Sequence, residues 1–170
     1  MPTSPQTDQN RVDWEHGDPL ALERQVCFAL AVANRSVLAV YRPLLEPLGL
    51  THPQYLVMLA LWGQSPMSVK AIGDAIQLDS PTLSPLLKRL ETSGLITRRR
   101  SETDERNLVI ALTAAGVALR DEALKIPPAV VARLGVSLAD LEQLHSVLTR
   151  VNAAARRSQV TEPERTEQKR

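Results

Sequence analysis

A chain of 170 residues, 44% hydrophobic and 23% charged, has the makeup of one compact domain with room for extra elements. A formal net charge of +1 gives no global field for a polyanion, and 3% aromatic residues argue against a platform for stacking unpaired bases. The single cysteine, Cys27, excludes an intrachain disulfide and a multi-cysteine zinc site.

No signal-like apolar core opens the chain and no run approaches a membrane span, so it reads as cytosolic, without a membrane partner. Residues 1–17 are polar, and the stretch 157–170 has Val160 as its only aliphatic side chain. Neither buries enough surface to offset ordering, and both are expected to be disordered. Asp18 is placed to cap a helix with Pro19 in its first turn. Apolar residues then recur at Leu22, Val26, Ala29, Leu30, Ala33, Val37, Val40 and Tyr41, at helical period, until Pro43 and Pro47 kink or end the helix. Thr51 and Gln54 have capping-box spacing. The body that follows, "YLVMLALWG", is apolar on nearly every side and should lie deep in a core.

Ser68 is placed to cap a short helix carrying Val69, Ile72 and Ile76. Asp79 or Ser80 caps a second, with Pro81 in its first turn, Leu83, Leu86, Leu87 and Leu90 as its buried stripe, and Gly94 as its stop. Two short helices joined by a tight turn are a helix-turn-helix candidate. "LITRRR" and "NLVIAL" read as strands. Thr113 caps a helix that Pro127 and Pro128 interrupt, and Ser137 with Asp140 caps a last long helix. The predicted fold is mainly α with a small β-hairpin. It is a winged helix-turn-helix over residues 51–116, flanked by an N-terminal helix in 18–50 and C-terminal helices in 117–156 that form a dimerisation region.

The chemistry sits at the second helix and the hairpin. In a helix-turn-helix the N-terminal residues of the second helix reach base edges in the major groove. Here these are Ser80, Thr82 and Ser84, short enough to hydrogen-bond or touch a thymine methyl. Lys88, Arg89, Arg98, Arg99 and Arg100 make a local basic patch suited to phosphates, with Glu91 as its one acid. Arg106 at the hairpin tip suits a narrow minor groove, with Asp104 holding its geometry. A solvated charged turn is the plain alternative. The partner implied is double-stranded DNA.

The stretch "LDSPTLSPLLKRLETSGLITRRRSETDERNLVIALTAAG" resembles the MarR family of bacterial transcriptional regulators, whose D-x-R wing element is matched by Asp104 and Arg106. The resemblance implies a homodimer held by its end helices, its two wings straddling a pseudo-palindromic operator. From about Leu22 to Gly116 the chain is also similar to the organic-hydroperoxide-sensing OhrR branch, which implies that Cys27 is a redox sensor. An organic hydroperoxide oxidises it to sulfenic acid, a low-molecular-weight thiol forms a mixed disulfide, and the repressor leaves its operator. Tyrosine hydroxyls from the partner subunit hydrogen-bond the sulfur in that branch. Tyr41 matches one such position, while His52 and Ala31 stand where the branch usually has tyrosine.

Other readings stand beside this one. Cys27, some two turns into the expected helix, is also explained as a small buried hydrophobe, and His52 as a solvent-facing residue at a helix start. A MarR-type repressor released by a small aromatic or lipophilic ligand needs no redox chemistry. A one-cysteine thiol peroxidase would need no hairpin or basic patch. No cofactor is implied, and His16, His52 and His145 give no metal-ligand spacing.

Overall fold

A computed structural model describes residues 17–100 and 108–160, with side chains to 158. The helices are α1 (Val26–Leu45), α2 (His52–Gly63), α3 (Val69–Ile76), α4 (Ser80–Thr92), α5 (Ala114–Ala123), α6 (Ile126–Leu134) and α7 (Leu138–Val160). The strands are β1 (Met67–Ser68), β2 (Ile96–Arg100) and β3 (Leu108–Leu112). They form one antiparallel sheet in the order β1-β3-β2, with Arg98 opposite Ile110 and Met67 opposite the same residue on the other side. The fold is the mainly helical winged helix-turn-helix that the sequence predicts.

The chain forms two compact units, one ending at Leu124 and one beginning at Lys125. The core of the first consists of Leu45, Leu50, Tyr55, Val57, Met58, Leu61, Ile72, Leu83, Leu87, Leu90, Ile96, Ile110 and Ala123, each at most 5% exposed. The apolar body of α2 is its centre, as expected of a helix with no polar face. The Thr51–Gln54 capping box is present: the Thr51 N–H and hydroxyl both donate to Gln54 Oε1, at 2.9 and 2.8 Å. In the second unit, α6 buries Ile126 and Val130, and nearly all of α7 is exposed.

Several expectations change. Asp18 does not cap α1; its carboxylate accepts from the Leu20 N–H at 2.9 Å, closing a turn. A short 3-10 helix, Leu22–Arg24, follows, and Gln25 then turns extended (φ −80°, ψ 111°). The Gln25 side chain donates back to the Pro19 carbonyl at 2.7 Å, which holds that break. Helix α1 therefore begins at Val26, and Cys27 lies in its first turn rather than two turns in. Pro43 sits inside α1 without ending it. Pro127 and Pro128 do not merely interrupt a helix: they occupy the first turn of α6, where a missing N–H is tolerated. Helix α7 continues through Val160, four residues into the stretch expected to be disordered. The tip of the wing, with Asp104 and Arg106, lies outside the described residues.

Residues Val26–Leu48 (23 residues, mean hydropathy 1.2) are long and apolar enough to cross a membrane, against the expectation that no run approaches a span. The expectation failed because Arg35 and Arg42 lie far apart, so a long window contains few charges. A helix covered by protein passes the same test of length and composition.

Candidate DNA-reading surface and thiol sensor

The turn between α3 and α4 fixes the reading helix. Gln77 adopts the left-handed conformation (φ 58°, ψ 43°), and the Leu78 N–H donates to the Gly73 carbonyl at 3.0 Å. A Cβ on Gly73 would meet the Leu78 oxygen at 2.8 Å, so only glycine permits this approach of α3 to the turn. Asp79 is the N-cap of α4 and accepts from the Thr82 N–H at 3.2 Å. The Thr82 side chain, then its N–H, hold the Asp79 carboxyl below its ordinary value. Leu83, Leu87 and Leu90 face the core, which turns Ser80, Thr82, Ser84, Lys88 and Arg89 to the exposed side. The Ser84 hydroxyl donates to the Ser80 carbonyl at 2.8 Å, leaving its lone pairs to accept from outside.

The wing continues this surface. Arg99 and Arg100 are exposed, whereas Arg98 Nε donates to Glu91 Oε2 at 2.7 Å. The basic patch thus has four exposed cations and one held by the acid of α4. The wing's root is locked to the helices. Thr113 Oγ1 donates to the Gly94 carbonyl at 2.6 Å, Trp62 Nε1 to the Gly116 carbonyl at 2.8 Å, and the Leu112 N–H to Ser65 Oγ at 3.1 Å.

Cys27 is exposed, and so is every residue from Val26 through Ser36. Burial in the chain's own core does not account for it. Tyr41 and His52 are brought together: their rings meet edge to face with centroids 5.1 Å apart, and Tyr55 lies 6.2 Å beyond Tyr41. His52 is half-buried, which lowers its pKa from 6.5 by desolvation. Burial, then the neighbouring Tyr41, raise the Tyr55 pKa. His52 also lines a cavity of about 480 Å³ with Leu38, Arg42, Leu45, Glu46 and Leu50 among its walls. Sequence reading missed this cavity, since its walls come from three elements and no periodic signal joins them. Cys27 is not part of this group. Fourteen residues separate it from Tyr41 on one helix, about 21 Å at 1.5 Å per residue. Ala31 is exposed between them and offers no polar group. Among the described residues no cluster of three or more His, Cys, Asp or Glu is placed to hold a metal.

Two short helices meeting at a fixed turn, with a three-stranded sheet ending in exposed arginines, define a winged helix-turn-helix regulator. Residues 50–108 match the MarR family. Over 131 residues the chain is 46% identical to the organic hydroperoxide resistance transcriptional regulator of Bacillus subtilis, an alignment covering 77% of this chain and 89% of that protein. The chain therefore belongs to the MarR family of transcriptional regulators, and its relatives are named as regulators, not enzymes. Among solved structures, reduced AbfR of Staphylococcus epidermidis bound to DNA matches with a TM-score of 0.70 at 32% identity, covering 80% of this chain and 93% of that one. Overoxidized AbfR bound to DNA matches with a TM-score of 0.61 at 34% identity, covering 76% and 95%.

Proposed function

We propose that this chain is a homodimeric, cytosolic repressor that binds a pseudo-palindromic operator and senses organic hydroperoxides through Cys27. The observation that carries this reading is the exposure of Cys27 within a helix half that has no cover from its own chain, although Val26, Phe28, Leu30 and Val32 lie along it. A second copy, rather than lipid, covers that stretch. The end segments 18–50 and 117–156 then form the dimer, and the thiol lies in a protein interface. The similarity to a regulator named for organic hydroperoxide resistance, and to one solved in reduced and overoxidized forms, supports the choice of signal.

On DNA, Ser80, Thr82 and Ser84 face base edges, while Lys88, Arg89, Arg99 and Arg100 contact phosphates, with Arg98 contributing less because Glu91 holds it. Asp104 and Arg106 belong to the wing tip that enters the minor groove. A dimer reads half-sites about 34–36 Å apart. The hydroperoxide transfers one oxygen to Cys27, giving sulfenic acid and an alcohol. A low-molecular-weight thiol then condenses with the sulfenic acid, releasing water and leaving a mixed disulfide. Overoxidized AbfR was captured on DNA. This favours the bulky thiol adduct, rather than added oxygen alone, as the step that forces close-packed helices apart.

Operator-shift titration tests this. Wild type should release its operator after cumene hydroperoxide plus a small thiol, with the adduct found on Cys27 by mass spectrometry. Cys27→Ser should stay bound. An adduct on Cys27 with undiminished operator binding would refute the switch. A second reading, release by a small lipophilic ligand, is favoured by the largely aliphatic cavity beside His52. Such a repressor would respond normally as Cys27→Ser.

A further inference from the structure

Within α4, β2 and β3, Glu91 is the only acid. A carboxylate on a face that meets a duplex repels phosphate. The structure shows what it does there instead: Arg98 Nε donates to Glu91 Oε2 at 2.7 Å, joining the last turn of α4 to the middle of β2. We propose that Glu91 is a positioning residue for DNA recognition. It keeps Arg98 tied to α4 on the duplex, which aims the wing from the reading helix and so sets how strongly the operator is preferred over other DNA. The inference rests on the DNA reading proposed above, and it needs neither the dimer nor the thiol chemistry.

The pair stands where support for the wing runs out. The root of the sheet is well fastened. The Leu95 N–H donates to the Leu90 carbonyl at 3.1 Å, Thr113 Oγ1 to the Gly94 carbonyl at 2.6 Å, and the Thr113 N–H to the Leu95 carbonyl at 3.0 Å. Arg98 is opposite Ile110, which is fully buried and also pairs with Met67 of β1. Strand β1 reaches one residue further, to Val109, and the Arg100–Leu108 pair has no third strand beside it. A two-stranded ribbon is marginally stable by itself and twists readily. Among the described residues, the bond from Arg98 to Glu91 is the side-chain tether nearest the free end of the wing that reaches a helix. Arg100 lies two residues beyond it, about 7 Å along the strand. A swing of about 20°, comparable to the twist between adjacent strands, would displace Arg100 by about 2 Å and break a hydrogen bond to phosphate.

The tether also withholds a charge. A phosphate drawn to Arg98 meets Glu91 beside it, whereas Arg99 and Arg100 are exposed. On a duplex without the right bases nothing fixes the seating of α4, and a released Arg98 finds a phosphate in any pose, which adds affinity without regard to sequence. On the operator, base contacts fix that seating, and the wing must meet the duplex from it. There a loosened wing loses what the released cation gains.

The test compares two duplexes with Cys27 kept reduced: the tightest binder that wild type selects from a random-sequence pool, and the same bases shuffled. Binding of wild type, Glu91→Ala, Arg98→Ala and the double variant is followed by fluorescence anisotropy over a range of salt. The pair is about one-third exposed, so all four should melt at similar temperatures. Glu91→Ala should hold the shuffled duplex about three- to tenfold more tightly, with the slope of log K against log salt steeper by about 1. It should hold the selected duplex no more tightly than wild type does, so the preference falls by the same factor. In the Arg98→Ala background, removing the Glu91 side chain should leave the preference unchanged, because Glu91 then has nothing to hold. An equal gain on both duplexes, an equal loss of preference in both backgrounds, or no change at all overturns the proposal and leaves Glu91 a surface charge. In each of those cases the DNA reading stands. A wild type that selects no sequence from the pool defeats the reading and the proposal together.

Discussion

Gly116 shows how much can depend on one missing atom. A Cβ there would lie 2.1 Å from the Leu95 oxygen and 3.1 Å from its carbonyl carbon, and that backbone also accepts the Thr113 N–H at 3.0 Å. Neither group can move without opening the wing's root. Gly116→Ala should therefore destabilise the chain by at least about 2 kcal/mol, read by urea denaturation. In sequence this glycine looks like any small residue on a helix, because the contact it permits joins two elements. Asp79 was legible, since a carboxylate before Ser-Pro has the pattern of an N-cap. Its lowered pKa implies a sign. A depressed carboxyl stabilises the fold above the unfolded value, and that contribution fades as pH falls through the folded one. The gap in melting temperature between wild type and Asp79→Ala should be widest near neutral pH and close below 3.8, the ordinary value for this group.

At the scale of elements, strong periodicity was readable and short or composite features were not. The leucine spacing of α4 gave its buried face, and with it the exposed face that presents Ser80, Thr82 and Lys88. Two residues cannot display an alternation, so β1 left no trace; it forms because Ile110 and Val109 of β3 have an open edge to pair with. The start of α1 was misplaced because Asp18-Pro19 imitates a helix cap, while the side chain that breaks the run, Gln25, has no propensity that marks it. The arginine run looked uniform, yet Glu91 holds Arg98 while Arg99 and Arg100 remain exposed. That difference is measurable. Arg99→Ala and Arg100→Ala should each weaken operator binding and reduce the slope of log K against log salt by about 1. Arg98→Ala should reduce it by less. Equal slopes for all three would mean that Arg98 leaves Glu91 when DNA arrives. The Glu91–Arg98 pair, about one-third exposed, should add no more than roughly 1 kcal/mol to stability.

The whole molecule has apolar surface left over in both compact units. In the first it is the N-terminal half of α1; in the second it is a stripe on α7, where Leu144, Val147 and Val151 recur at helical spacing, with Leu138 62% and Leu144 51% exposed. An isolated chain would carry both in water, and the apolar length of α1 would let it be mistaken for a span. A symmetric dimer uses one patch on each of two copies, so every substitution acts twice. Covering what remains exposed of Leu144 contributes roughly 1 kcal/mol per copy, and forcing an unpaired carboxylate into the same contact costs more. Leu144→Glu should therefore weaken association by at least about 4 kcal/mol, or about a thousandfold. In sedimentation velocity without detergent, wild type should run at twice the chain mass and Leu144→Glu as a monomer. The monomer should retain its helicity, because the core from Leu45 to Ile110 does not include Leu144. It should lose the operator shift, because one reading head then binds without its pair. A monomeric Leu144→Glu that still shifts the operator at wild-type concentrations would place recognition in the single winged unit.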